Sequence, residues 1–142
     1  DPALICRPIS IQKTYTYENG YQRTVDLIRS GTKFDAIFAI ADSIAIGCLR
    51  ALRDQGIRVP EDVAVIGFDG LEIGHYLTPA LSTLQQPVNE MAEASMHALL
   101  GLLEEREKEV AAKLAGGSAE VKEKTAKFQQ IFPGELKIRE SC

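Results

Sequence analysis

The sequence predicts an α/β fold in which a parallel sheet is flanked by helices. Two short apolar runs, Asp35–Ile40 and Val63–Gly67, have the composition of strands covered on both faces. Around them apolar residues recur at helical spacing, and clusters of Gly, Pro and Asp separate the two periods. Strand, helix, strand, helix, strand in register is the pattern of a doubly covered parallel sheet.

The elements follow in order. Ile5–Ile11 carries Ile5, Ile9 and Ile11 and reads as a first strand, which Pro8 pushes toward an edge or a bulge. Asn19 with Gln22 three residues on has the form of a capping box. Tyr21, Thr24, Val25 and Ile28 then mark an amphipathic helix that ends near Gly31. Tyr15 and Tyr17 fall in the loop before that helix. After the strand in Asp35–Ile40, Asp42 or Ser43 is expected to cap a helix with Ala45, Cys48, Leu49 and Leu52 on one stripe and Gly56 at its stop. Val63–Gly67 is the next buried strand, and Ser82–Gln85 is a third extended piece between Pro79 and Pro87. A long helix starts near Val88 and is striped by Ala92, Ser95, Met96, Leu99 and Leu102, and Leu136–Arg139 alternates as a last strand.

Charge separates two regions. Residues 1–103 hold 8 basic and 12 acidic side chains, whereas half of the positions in Glu104–Lys127 are charged and Gly116-Gly117-Ser118 interrupts that run. The domain reading is a partial lobe over 1–103 with a crossover near 84–88, a charged helical insertion over 104–132, and a closing strand over 133–142. In the insertion the two glycines favour two short helices or a hinge.

Composition excludes several classes. The chain has 142 residues, 45% hydrophobic and 25% charged, with a net charge of −4. That balance argues against a free-standing nucleic-acid binder, whose footprint is basic. No apolar run approaches the ~18 residues of a membrane span. The three cysteines, Cys6, Cys48 and Cys142, share no C-x-x-C spacing and read as reduced thiols of a cytoplasmic protein. No cofactor is implied, since no nucleotide loop, metal-ligand spacing or nucleophile elbow is present in the sequence. His75 and His97 are not expected to be catalytic, and the chain reads as a non-enzyme.

In parallel sheets ligands bind beyond the carboxyl ends of the strands, which directs attention to Ala41-Asp42-Ser43, Phe68-Asp69-Gly70 and Tyr15–Asn19. Asp42 has two readings, a carboxylate aimed at a polar ligand or a helix N-cap. Asp69 directly follows a buried strand between Gly67 and Gly70, and its carboxylate either accepts two ligand hydrogen bonds or closes an Asx-turn. Tyr15 and Tyr17 either stack on a ligand or lie against the sheet edge.

Residues Ala41–Gly47, Leu49–Leu52 and Gly56–Gly70, the last containing Val59-Pro-Glu-Asp-Val and Gly-Phe-Asp69, resemble the effector-binding domain of the LacI/GalR family of transcription regulators. The likeness continues through Tyr76–Pro87 and the helix to Leu103, and returns at Gly134–Cys142. The resemblance implies a periplasmic-binding-protein-like lobe of type I, incomplete, from a chain that reads as a fragment. It implies a small sugar or nucleobase-like effector clamped between two lobes, with Asp69 as the effector-binding carboxylate and Tyr15 as the ring over the ligand. It places Ala41 where the family often has Asn, with Asp42 beside it, and puts Gln86 or Val88 along the cleft near the crossover. The implied partners are that small-molecule effector, a second copy in a homodimer, and operator DNA through a headpiece outside this chain, with no membrane. A periplasmic sugar-binding protein of a transporter shares the lobe architecture and is the alternative.

Overall fold

The computed structural model describes Ile5, residues 14–115 and residues 129–142, and it forms two compact units, Asp1–Gln86 with Gly134–Cys142, and Pro87–Pro133. The strand expected over Ile5–Ile11 lies outside the described residues apart from Ile5, as does Gly116-Gly117-Ser118.

The first unit is built on a four-stranded sheet of β1 (Ala36–Phe38), β2 (Ala64–Asp69), β3 (Ser82–Gln85) and β4 (Glu135–Lys137), in that spatial order. β1 pairs with β2 and β2 with β3 in parallel, with Ile37 opposite Val65 and Ile66 opposite Ser82. β4 runs antiparallel to β3, so the expected parallel sheet is mostly parallel and ends on one strand of opposite sense.

Two helices accompany the sheet, α1 (Tyr17–Arg29) and α2 (Asp42–Asp54). α1 begins one turn earlier than the capping-box reading placed it. Thr16 is the N-cap, its hydroxyl accepting from Asn19 N at 3.2 Å, and Asn19 Nδ2 donates to Thr14 O at 2.8 Å. Tyr17 is therefore the first helical residue and not part of a loop. α2 likewise departs from expectation at its start, because Ala41 is the N-cap and contributes no side-chain bond. Both helices end as expected, with Gly31 and Gly56 at φ 73 and 71, where a side chain would be strained.

The core is the α2 stripe pressed on the sheet. Ala45, Leu49 and Leu52 pack with Ala39, Val63, Val65 and Leu81 in one cluster. Burying each large aliphatic side chain contributes about 1.5–3 kcal/mol. α1 and α2 meet at two glycines: a Cβ on Gly20 would stand 2.1 Å from Ile44 O, and one on Gly47 2.0 Å from Tyr17 O. Expectation fails for β1, where Ala36 and Phe38 are exposed and only Ile37 is partly covered. Among the described residues β1 pairs on one side only, with β2, and an apolar run signals coverage by whatever packs there, not the position of a strand within its sheet. β2 alternates, with Val65 and Gly67 buried toward α2 and their neighbours half-buried.

The chain's last residues clasp the sheet. Ser141 is fully buried, donates from Oγ to Val65 O at 2.6 Å and accepts from Ser82 N at 2.8 Å. Arg139 N donates to Ser82 Oγ at 2.8 Å, and Ala80 N donates to Glu140 Oε2 at 2.9 Å.

The second unit holds α3 (Val88–Leu114), which starts at the expected residue and continues without a break through Glu104 into the charged run. None of its residues is buried, and its apolar stripe, including Met96, Leu99 and Leu102, is exposed.

Candidate functional site

The carboxyl ends of β1, β2 and β3 lead into three segments that hydrogen bonds tie into one rim. β1 gives way to Ala41-Asp42-Ser43, β2 ends in Asp69 followed by Gly70 and Leu71, and β3 runs into Gln86. Asp69 is the one described residue other than glycine with positive φ, at 126. An L side chain held there costs of order 1–3 kcal/mol and persists only where the surroundings impose it, a situation that clusters at ligand sites. Its Oδ1 accepts from Gln86 Nε2 at 2.7 Å, and its backbone oxygen accepts from Gln86 N at 3.2 Å. Asp69 and Gln86 are both half-buried, so the carboxylate keeps lone pairs on the open side.

Asp42 lies beneath this rim. It is fully buried, and three donors of the chain take its carboxylate: Thr83 Oγ1 to Oδ1 at 2.7 Å, and Gly70 N and Leu71 N to Oδ2 at 3.0 and 2.7 Å. Hydrogen bonds to a charged acceptor contribute about 1.5–3 kcal/mol each, which offsets the burial. Gly67 leaves the space, since a Cβ there would stand 2.1 Å from Asp42 Oδ1. Neither reading of Asp42 from the sequence matches this placement. Its side chain caps no helix, and it is covered rather than facing open space. Ala41 beside it is 4% exposed and forms floor rather than rim.

Tyr15 is 64% exposed, and its backbone oxygen accepts from Ser43 Oγ at 2.9 Å. The Asp42, Asp69, Gln86 and Tyr15 positions are therefore joined through consecutive residues of the first turn of α2. Val88 belongs to the other unit, where it opens α3 with an exposed side chain. Sequence reasoning missed Thr83, and it singled out Ser43 and Gly67 without the contacts they make here. Their partners lie 25 to 41 positions away, and no local pattern marks such a contact.

The other candidates stand apart. His75 Nε2 is 2.8 Å from Arg139 Nη2, and no group of His, Cys, Asp and Glu among the described residues is disposed to hold a metal ion. A cavity of about 480 Å³ opens along β1, lined by Leu27, Phe34, Ile37, Ile44 and Cys48 among others, and includes neither Asp69 nor Gln86. No helix of the described residues is long and apolar enough to cross a membrane.

A half-buried carboxylate at a strained position beyond the ends of parallel strands stands where open α/β sheets take their ligands. The profile of the periplasmic binding protein-like domain matches residues 4–142. The chain belongs to that family. Its relatives are transcription regulators. It is 40% identical over 90 residues to the HTH-type transcriptional regulator AscG of Escherichia coli K12, which covers 63% of this chain and 27% of AscG. A solved sugar-binding transcriptional regulator of the LacI family from E. coli superposes with a TM-score of 0.67 at 33% identity, covering 91% of this chain and 40% of that one. A LacI-family regulator from Enterococcus faecium with bound ribose gives a TM-score of 0.65 at 26% identity, over 90% of this chain and 41% of that one. The chain thus spans about a quarter of AscG's length. None of the three is named as an enzyme or a transport protein.

Proposed function

We propose that this periplasmic-binding-protein-like chain is the effector-sensing portion of a bacterial, cytoplasmic transcription regulator, acting as a homodimer and without enzymatic activity. Its ligand is a small sugar or nucleobase-like molecule held at the rim, with Asp69 accepting two ligand hydrogen bonds, Gln86 orienting that carboxylate and Tyr15 lying over the ligand face. The observation that carries this reading is Asp69, held at φ 126 with its carboxylate half-buried at the end of β2. Ala41 and Asp42 form the floor.

The ligand acts by favouring one arrangement of the protein over another, and only a difference in affinity between the arrangements can shift them. The coupling to DNA is typically 1–3 kcal/mol. The net charge of −4 supports leaving operator contact to a segment outside these 142 residues.

A thermal-shift screen of pentoses, disaccharides and purine bases tests the reading. A true ligand at 100 times its dissociation constant stabilises by ~2.7 kcal/mol, and Asp69→Asn abolishes that gain. A gain that survives Asp69→Asn would remove Asp69 from the site.

A further inference from the structure

We propose that the first turn of α2 is the positioning device of the rim: Asp42 fixes Asp69, and Ser43 fixes Tyr15, while neither touches the ligand. The inference rests on the effector reading of the rim and goes beyond it by assigning how the binding geometry is imposed.

Asp42 carries the argument. A fully buried carboxylate with no cation among its partners is an expensive group to keep. Helix capping does not explain it, because α2 has no side-chain cap bond. Its donors are the two amides that directly follow Asp69, together with Thr83 Oγ1, which also accepts from Gly70 N at 3.2 Å. On the other side of Asp69, the chain is held by the β2–β3 ladder from Ile66 to Asp69. The strained φ of Asp69 therefore lies between two clamped stretches of backbone. Relaxing it would swing the Asp69–Gly70 peptide and break the bonds to Asp42. Ser43, the next residue, holds Tyr15 through its backbone oxygen, immediately before the Thr16 cap of α1.

The test is NMR on the isotope-labelled chain. At φ 126 the Asp69 coupling between amide and α protons is small, whereas an extended strand gives a large one. In Asp42→Ala this coupling is expected to rise, and exchange of the Gly70 and Leu71 amides to accelerate ~10–100-fold, the factor that a hydrogen bond to a charged group corresponds to. Tyr15 resonances stay in place. In Ser43→Ala the Tyr15 resonances move and the Asp69 coupling does not. Asp42→Asn restores the wild-type pattern, since its amide oxygen still accepts from both N–H groups and its NH₂ donates to the Thr83 hydroxyl. A merely structural role would lower the melting temperature without this division of signals. A folded Asp42→Ala with wild-type coupling and exchange overturns the proposal. Should Asp42→Ala fail to fold, Thr83→Val decides instead, with faster Gly70 exchange expected and unchanged exchange contradicting it. The pentoses, disaccharides and purine bases of the screen, titrated into the wild-type chain, report separately: a rim silent to all of them would end the effector reading, while coupling and exchange still decide the positioning.

Discussion

Gly67→Ala is the smallest substitution that reaches the centre of this account. The added methyl would stand 2.1 Å from Asp42 Oδ1 and 3.3 Å from the Ala45 Cβ. Three hydrogen bonds hold that carboxylate, so it has no free rotamer to retreat into. Either β2 bows away from α2 or Asp42 gives up its donors. Stripping a buried charge of its partners costs about 3–5 kcal/mol, a large share of the ~5–15 kcal/mol that stabilises a whole domain. Urea unfolding measures the loss. With a slope of about 1–3 kcal/mol/M, the midpoint is expected to fall by ~1–5 M. Tyrosine fluorescence is the natural probe, because the four tyrosines, at positions 15, 17, 21 and 76, all belong to the unit that contains the sheet. A loss below about 0.5 kcal/mol, the size of an ordinary surface substitution, would refute the packing of Asp42 against Gly67.

Three further outcomes follow from the same structure. Ser141→Ala strands the buried Ser82 N–H and removes a donor from Val65 O, so a loss of ~2–4 kcal/mol is expected in the same unfolding assay, with Cys142→Ser, an exposed neighbour, as the silent control. Leu52→Ala, at a fully buried site in the core cluster, is expected to cost about 2–5 kcal/mol, and a cost near zero would contradict that cluster. The Asp62 carboxyl is held down to about 2 by side-chain and backbone hydrogen bonds from Arg58. A carboxyl lowered on folding contributes stability above its ordinary value near ~3.9. That contribution is lost as pH falls from there through about 2. Carbon-13 titration is expected to show the low value in the wild type and a return toward the ordinary one in Arg58→Ala.

Periodicity made much of this fold legible. The stripe of α2, the extent of β3 and the start of α3 follow from spacing and from Gly and Pro punctuation, all of which are local signals. The start of α1 differs from the capping-box reading of Asn19 with Gln22 for a physical reason. Asn19 is instead drawn inward to Thr14 O, which leaves Thr16 as the cap. β1 reads as buried because its residues are apolar, but its place in the order of the described strands, paired with β2 alone, is a property that no single strand encodes. The site divides in the same way. Asp69 stands at a strand end, where position alone recommends it, whereas Gln86 entered only through the family resemblance, and the structure joins the two at 2.7 Å. The functions of Asp42, Ser43 and Ser141 depend on partners 28 to 76 residues away, so no local pattern discloses them.

The central claim, that the rim around Asp69 is the effector site, meets its most direct test in a titration of the labelled chain with the pentose, disaccharide or purine base that stabilises it in the thermal-shift screen, followed by amide chemical shifts. NMR registers even millimolar affinity. The account predicts shifts concentrated at Tyr15, Asp69–Leu71 and Gln86 that vanish in Asp69→Asn. Shifts centred on the β1 cavity, or shifts at the rim that persist in Asp69→Asn, would contradict it.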